Sequence, residues 1–321
     1  MAERNPKVIV IGPALIDMAV KCDEYPDPGQ VSEGSEFTTV PAGRGVNQAI
    51  QVALCGCDTY LLARVGEDCF GDLICQNLQR HTIKTDLIYP TQAMSTGIVV
   101  TVVNGQGENR SCRSSGANRV LSADEIEYAA AEQQISSADV ILIDDAIPRE
   151  ASVAAIRSAQ IHKTRTIFSA KLPQASRKII HSLDWPMEFY NTDILVLRFK
   201  GMMCASELGA GGEGDLKFIG TELVARGANC VVISLGWRGA LVIDSKGPRH
   251  LEGIVSEVVD QTGCDSAFIG ALAACFGTGD PPDRAVQFAI AAESLMRSRF
   301  GLHEALPRKQ EILTVLHSQP D

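Results

Sequence analysis

Short apolar runs, each followed by a segment of helical periodicity, constrain the fold of this chain more than any other feature. The runs expected to form buried strands are 8–11, 139–143, 166–168, 193–197, 230–234 and 240–243. Segments with a helical pattern between them include 47–54, 122–134, 149–161 and 217–225. Continuous apolar strands that alternate with amphipathic helices are typical of parallel sheets covered on both faces. The sequence therefore predicts an α/β fold with a doubly wound, mostly parallel sheet.

One region departs from this alternation. Residues 96–103 and 108–115 are separated by the residues Asn-Gly-Gln-Gly, which predicts a β-hairpin. Together with residues 33–40 they are expected to form a small β-sheet that covers a cleft, because long insertions in α/β cores are often lids. We expect a single domain over residues 1–321 with these lid segments inserted. Since such a lid exposes sheet edges, a homodimer through it is also expected.

Charge and composition exclude several classes of partner. A net charge of -10 argues against non-specific nucleic-acid binding, which requires a basic surface. The amino-terminal residues lead into a short strand, and no apolar segment there is long enough for a signal peptide or a membrane span. The ten cysteines include no C-x-x-C pair and no zinc spacing, which predicts reduced thiols and no metal site. We expect a cytoplasmic protein without membrane or nucleic-acid partners.

The stretch 41–56 joins the expected lid to a helix. Gly43 and Gly45 permit close approach of the backbone, Arg44 supplies a charge, and Asn47 offers donors and an acceptor at the helix start. A polyhydroxylated ligand would use such a mixture of groups. Alone, the stretch is equally compatible with an ordinary glycine turn before a helix.

Two further stretches offer weaker signals. Asp17 follows the first predicted strand, where a carboxylate can accept hydrogen bonds from sugar hydroxyls at the ligand crevice of a doubly wound sheet. A loop aspartate is more often a cap or solvated. Ser234, Gly236 and Gly239 belong to a strand, a turn and a second strand, and ordinary hairpins have the same pattern.

The stretch 258–276 combines a glycine turn that favours phosphate with an acidic residue. It is expected to contain a strand end at Val258 and Val259, a turn at residues 260–265, and a helix that begins near Ser266. A glycine turn before a helix points backbone N–H groups at an anion such as phosphate. This turn, however, contains an acid, Asp265, directly before Ser266.

Taken together, in this order and at these distances, the four stretches resemble the ribokinase (PfkB-type sugar kinase) family over nearly the whole chain. The residues GRGVNQA resemble its first signature, G-G-K-G-x-N-Q-A, and the stretches 104–127 and 288–307 resemble the ribokinase branch. The resemblance implies a ribokinase-like fold, a sugar and a nucleotide as ligands, ATP with Mg²⁺ as cofactor, and a monovalent cation such as K⁺. It implies substrate binding by Asp17, Gly43, Arg44, Gly45 and Asn47, and nucleotide binding by Ser234, Gly236, Gly239, Thr262, Gly263 and Cys264.

The sequence departs from the family at the second signature, which contains the catalytic base. The second signature, D-T-x-G-A-G-D, ends on the aspartate that acts as base, and without gaps its last two positions fall on Asp265 and Ser266. A serine is no useful base at neutral pH without an activator, and an acid in the anion loop opposes the γ-phosphate. If the loop is instead shorter by one residue, Asp265 occupies the place of the base.

Other positions differ as well. Arg198 and Gly201 stand where the family has Asn-x-x-Glu, and Ala146 stands where it has a sugar-contacting glutamate. Arg198 and Lys200 are the cations expected to compensate Asp265. Two functions remain open: an ATP-dependent sugar kinase of low activity with Asp265 as its base, or a catalytically inactive sugar- or nucleotide-binding or regulatory protein.

Overall fold

The computed structural model describes residues 4–172, 178–199 and 212–318. Lys200 and Gly201, and the first part of the glycine-rich loop at 209–214, lie outside these residues. The strands are β1 (Lys7–Ile11), β2 (Leu15–Cys22), β3 (Gly34–Ala42), β4 (Asp58–Gly66), β5 (Ile88–Thr91), β6 (Gly97–Val103), β7 (Asn109–Ser114), β8 (Val140–Asp144), β9 (Arg165–Leu172), β10 (Ile194–Phe199), β11 (Cys230–Ser234), β12 (Gly239–Asp244) and β13 (Gly247–Glu252).

The helices are α1 (Arg44–Leu54), α2 (Cys69–Arg80), α3 (Ala123–Ala131), α4 (Arg149–His162), α5 (Ile179–Ser182), α6 (Met187–Tyr190), α7 (Gly212–Ala225), α8 (Cys264–Gly277), α9 (Pro282–Arg297) and α10 (Lys309–His317). Among the described residues, short 3₁₀ segments lie at Gly116–Val120 and Gly236–Arg238.

Nine strands form the large sheet, in the order β13-β12-β11-β10-β9-β8-β1-β4-β5. The strands from β11 to β5 run parallel, and β12 and β13 add an antiparallel edge. In β1, Val8 and Val10 pack into one core cluster while Ile9 and Ile11 pack into the other. Because successive side chains point to opposite faces, both faces of the sheet are covered, and each buried side chain of this size contributes about 1.5–3 kcal/mol. The predicted mostly parallel, doubly covered sheet is confirmed.

A second sheet contains four strands in the order β3-β2-β6-β7. The β6–β7 hairpin closes through Asn104, whose side-chain oxygen accepts hydrogen bonds from the N–H groups of Gln106 and Glu108 at 3.1 and 2.9 Å. The segments predicted at 33–40 and 96–115 thus lie in this smaller sheet. Strand β2, which the apolar pattern did not reveal, pairs with both β3 and β6 and joins the segments.

Two local predictions near the second signature are wrong. Val258 and Val259 belong to no strand; both are exposed, and the Val259 N–H donates to the carbonyl of Arg297 at 2.9 Å instead of a sheet neighbour. The helix begins at Cys264, two residues before the expected start near Ser266. Gly263 provides its N-cap at a φ of 79°, and its carbonyl accepts the first helical hydrogen bond, from Ala267.

The nine described cysteines are free thiols. Within the described ranges, no helix is both long and apolar enough to cross a bilayer.

Candidate functional site

A cleft of about 570 Å³ lies between the second sheet, the carboxyl ends of the parallel strands and the amino terminus of α8. It brings together most of the side chains that the sequence singled out from stretches far apart in the chain. Those that line it are Asp17, Gly43, Arg44, Asn47, Arg198, Ser234, Gly236, Thr262, Gly263, Cys264, Asp265 and Ser266. Gly45 and Gly239 lie outside the lining.

The glycines at the start of α1 allow the backbone to pass close to the end of β1. A Cβ on Gly43, whose φ is 106°, would lie 2.5 Å from the carbonyl oxygen of Pro13. A Cβ on Gly45 would lie 2.6 Å from the backbone of Gly12, and the Gly45 N–H donates to the Pro13 carbonyl at 3.1 Å. Gly45 therefore allows α1 to pack closely against the end of β1, although Gly45 itself does not line the cleft.

Gly239 has a similar structural role at the edge of the large sheet. It starts β12 at a φ of 91°, and a Cβ there would lie 2.0 Å from the carbonyl oxygen of Leu251 on β13. Any larger residue would separate these paired strands. Ser234, at the end of β11, and Gly236, in the turn that follows, do line the cleft.

Arg44 is engaged in a buried cluster of charges. Its Nε and Nη2 donate to Asp144 at 2.8 and 2.7 Å, and Nη2 also reaches Asp145 at 2.8 Å. Arg198 approaches from β10, donating to Asp145 at 2.9 Å and to the hydroxyl of Ser169 at 2.9 Å. Asp144 is fully buried and Arg198 is 5% exposed. The sequence-predicted role of Arg198 as compensation for Asp265 is therefore not supported, because its charge is already paired.

The pKa shifts of the two aspartates in this cluster run in opposite directions. Burial opposes ionisation of Asp144, but Arg44 and Arg198 together lower its pKa below the ordinary value. The pKa of Asp145 is raised by burial and by the negative charge of Asp144. Two guanidinium groups thus stabilise chiefly the charge on Asp144.

Asp17 and Asn47 face the cleft from different elements. Asp17 is the third residue of β2 in the second sheet, not a loop residue after β1, and partial burial raises its pKa. Asn47 lies in the first turn of α1, and its Oδ1 is 3.1 Å from Nε2 of His303. Burial lowers the pKa of His303 to about 4, so the ring is neutral at pH 7 and Nε2 donates to Asn47. No described residue bonds the side-chain amide nitrogen of Asn47.

At the amino terminus of α8, Asp265 and Ser266 differ in their exposure to the cleft. Asp265 is exposed, whereas Ser266 is 3% exposed, and both line the cleft. The Asp265 carboxylate accepts no hydrogen bond from any described residue, so it does not cap the helix. The N–H groups of Asp265 and Ser266 likewise lack acceptors among the described residues, as expected for the first turn of a helix. Burial lowers the pKa of Arg44, but Asp144 and Asp145 raise it above the ordinary value, and Asp265 adds a smaller contribution in the same direction.

Below this helix end lies a second buried ion pair, in α9. Arg297 donates through Nη2 to Oε1 of Glu293 at 3.2 Å, and both side chains are at least nine-tenths buried. Glu293 Oε2 and Arg297 Nη1 are buried without hydrogen-bond partners. Burial raises the pKa of Glu293 to about 7, Arg297 lowers it in part, and Asp265 adds to the increase.

Sequence reasoning did not identify several residues that line the cleft: Arg113, Lys171, Trp237, Glu293 and Arg297. The pair at Glu293 and Arg297 had a detectable signal, because two opposite charges four residues apart interrupt the largely apolar second half of the helix. Arg113 had none, since only strand pairing reveals which face of the hairpin it occupies.

Nothing in the described part of the chain brings three or more histidine, cysteine, aspartate or glutamate side chains together as a metal site. Asp265 is the exposed carboxylate at the helix end of the cleft. Mg²⁺ is commonly bound by one or two carboxylates together with substrate phosphates and water, so this donor set is compatible with a metal that arrives with a nucleotide.

Comparisons with known proteins agree with this architecture. Among curated proteins, the ribokinase of Mus musculus is 28% identical over 281 residues, covering 84% of this chain and 82% of the relative. The ribokinase of Bacillus subtilis is 26% identical over 312 residues, covering 96% of this chain and 99% of the relative.

Solved structures share the fold. The ribokinase of Thermotoga maritima superimposes with a TM-score of 0.79 at 24% identity, covering 97% of this chain and 99% of that one. The ribokinase of Arabidopsis thaliana, solved with ribose and ATP, gives a TM-score of 0.83 at 22% identity, covering 98% and 100%. The family model for pfkB family carbohydrate kinases matches residues 5–309. The chain therefore belongs to the pfkB family of carbohydrate kinases.

Proposed function

We propose that this protein is an ATP-dependent sugar kinase of ribokinase type, with low activity, that transfers the γ-phosphate to a sugar hydroxyl. The observation that carries the proposal is the single cleft in which Asp17 and Asn47 face the amino terminus of α8. Asp17 and Asn47, with Gly43, Arg44 and Gly45 at the start of α1, form the sugar side. Ser234, Gly236 and the turn that precedes α8 form the nucleotide side.

In this proposal the phosphates lie at the start of α8. The unpartnered N–H groups of Asp265 and Ser266 and the positive end of the helix dipole favour an anion there. Asp265 is the base, because its carboxylate is exposed to the cleft whereas Ser266 offers only a hydroxyl. It would take the proton of the sugar hydroxyl as that oxygen attacks the γ-phosphorus, while the bond from this phosphorus to the β–γ bridging oxygen breaks and ADP leaves. The nucleotide would arrive as its Mg²⁺ complex, and a monovalent cation such as K⁺ is an expectation from the family.

A coupled assay of ADP release tests this function. Ribose, other pentoses and hexoses are supplied with Mg²⁺·ATP, in K⁺ and in Na⁺ buffers. We expect sugar-dependent turnover far below the common enzyme range of about 1–10³ per second. Turnover within that range would contradict the low-activity assignment, and the Asp17→Asn variant should reduce sugar-dependent turnover without abolishing nucleotide binding.

A second candidate function is a catalytically inactive sugar- or nucleotide-binding or regulatory protein. It is favoured by Ser266, which is buried at the position that the ungapped second signature gives to the base. Calorimetry separates the two candidates: sugar binding with no detectable ADP release, even after long incubation at high enzyme concentration, supports the inactive protein.

We also propose that the second sheet serves as a lid within a single α/β domain and as the interface of a homodimer. Its outer strands leave two open edges, and Phe37 and Val100 on it are 67% and 38% exposed. Sedimentation velocity at micromolar concentration should then give a dimer, and a monomer would contradict this interface. Free thiols are consistent with the reducing cytoplasm, where we place the protein.

A further inference from the structure

A row of residues crosses the second sheet on its cleft side. Asp17 on β2 is paired with Val99 on β6, and Val99 is paired with Arg113 on β7. All three line the cleft. Adjacent strands are roughly 5 Å apart, so the backbones at Asp17 and Arg113 are separated by about 10 Å. A carboxylate and a guanidinium therefore face the same ligand space from one sheet, with an apolar side chain between them.

The other charges of the cleft show why Arg113 stands out. Arg44 and Arg198 are paired with Asp144 and Asp145, and Arg297 is paired with Glu293. Among the cations of the cleft that the structure describes, Arg113 and Lys171 have no carboxylate within 4 Å. Lys171 lies at the end of β9, beside the Arg44 cluster, whereas Arg113 shares the wall of Asp17.

We infer that the sugar taken by this cleft carries an anionic substituent, a carboxylate or a phosphate, which Arg113 binds while Asp17 accepts hydroxyl hydrogen bonds. This inference rests on the proposed sugar-binding function and specifies its substrate class. A guanidinium presents a planar fork of donors that matches carboxylate and phosphate oxygens in pairs. Val99 provides an apolar contact for the carbon chain between the two polar ends.

The overall charge of the protein strengthens the argument. With a net charge of -10, the protein repels an anionic ligand at long range unless a local cation attracts it. A neutral sugar needs no such cation on the wall opposite the nucleotide. An unpaired arginine in the row of Asp17 is what recognition of an acidic sugar requires.

Isothermal calorimetry with two matched series of sugars tests the inference. One series is D-ribose, D-ribonate and D-ribose 5-phosphate; the other is D-glucose, D-gluconate and D-glucose 6-phosphate. The wild type should bind an anionic member about 10–100-fold more tightly than its neutral parent, as expected for a charge-assisted hydrogen-bonded pair. Whether the carboxylate or the phosphate member gains identifies the substituent.

Variants identify the residue responsible. Arg113→Gln should abolish the preference for the anionic member while leaving affinity for the neutral parent within about 3-fold. Arg110→Gln, on the same strand but outside the cleft and stacked on Tyr25, is the matched control and should keep the preference. Both positions are exposed, and thermal melts verify that both variants fold.

The outcomes separate the inference from the function on which it rests. Neutral sugars that bind as well as the anionic ones, or a preference that survives Arg113→Gln, overturn the inference and leave the sugar-binding function intact. Binding of none of the six compounds by the wild type contradicts the sugar-binding function, and the inference falls with it.

Discussion

The carboxylate of Asp144 is fully buried and accepts two hydrogen bonds from Arg44, at 2.8 and 2.7 Å, although the residues are 100 positions apart in the chain. The pair ties the start of α1 to the end of β8. The cation of the first signature is thus a structural partner within the cleft wall before any ligand binds. Arg198, on the far side, completes the cluster by pairing with Asp145.

The first prediction concerns the stability that this cluster provides. Asp144→Asn should lower the free energy of unfolding by about 3–5 kcal/mol, because it removes the fully buried carboxylate and leaves Asp145 alone to pair with the guanidinium groups of Arg44 and Arg198. Urea unfolding measures the loss. The matched control is Asp58→Asn, which breaks the exposed pair with Lys84 and should cost at most about 1 kcal/mol. Equal effects of the two substitutions would contradict the structural role of Asp144.

The second prediction concerns nucleotide affinity. The exposed, unbonded carboxylate of Asp265 lies beside the helix end where the phosphates are proposed to bind, so Mg²⁺·ATP should bind weakly. Asp265→Gly should strengthen binding by about 1–3 kcal/mol, the size of one charge repulsion at an effective dielectric near 20. Calorimetry measures it.

Asp265→Asn serves as the control that removes the charge but keeps the side chain, and it should recover most of the gain. Tight ATP binding by the wild type that either substitution weakens would mean that Asp265 takes part in a working phosphate site.

The third prediction distinguishes a displaced base from a lost one. The double variant Asp265→Gly with Ser266→Asp rebuilds the family signature at the start of α8. A general base typically contributes about 10² to 10⁴ in rate. If the base has been lost, ADP release in the coupled assay should rise toward that extent.

If Asp265 is the working base, as proposed, the same double variant should lower or abolish the wild-type activity. Ser266→Asp alone is the companion variant, because it adds a carboxylate without removing Asp265. An activity unchanged in both variants would contradict a role for either position in proton transfer.

The fourth prediction concerns pH. Burial raises the pKa of Glu293 to about 7 in the folded protein, against an ordinary value of 4.5 in the unfolded chain. The folded state therefore binds this proton more tightly than the unfolded state does. Stability is therefore lost as pH rises from about 4.5 to 7, by at most about 3 kcal/mol from this group, and stays reduced above that range.

Glu293→Gln removes this titration. The free energy of unfolding of the variant, relative to wild type, should therefore rise between pH 4.5 and 7.5, whatever constant cost follows from the unpaired Arg297. Urea titrations at several pH values measure this difference. Glu257→Gln, at an exposed position, is the control and should run parallel to wild type. If the free energy of unfolding of Glu293→Gln followed the same pH dependence as wild type, the raised pKa of Glu293 would be contradicted.

The local pattern of residues determined the main architecture. Strands β1, β8 and β11 were predicted from their continuous apolar runs, because such runs need burial on both faces. Strands β2, β4, β5 and β13 were missed. In β2, polar residues such as Asp17 and Lys21 interrupt the apolar ones, since that strand lies in a largely exposed sheet. Its place follows from pairing with two other segments and not from its own pattern.

In the candidate site, too, some features could be predicted from the sequence and others only from the tertiary structure. The sequence singled out Asp17, Asn47 and the turn before α8 from their residue types and their resemblance to the family's signatures. It placed Asp17 in a loop after β1, whereas the structure places it within β2. Only the tertiary structure decided which charges remain available: Arg44 and Arg198 are paired with aspartates from β8 and the residue after it, and Arg113 reaches the cleft through strand register. Ion pairing and burial depend on distances between segments far apart in the chain, and residue spacing carries no information about those distances.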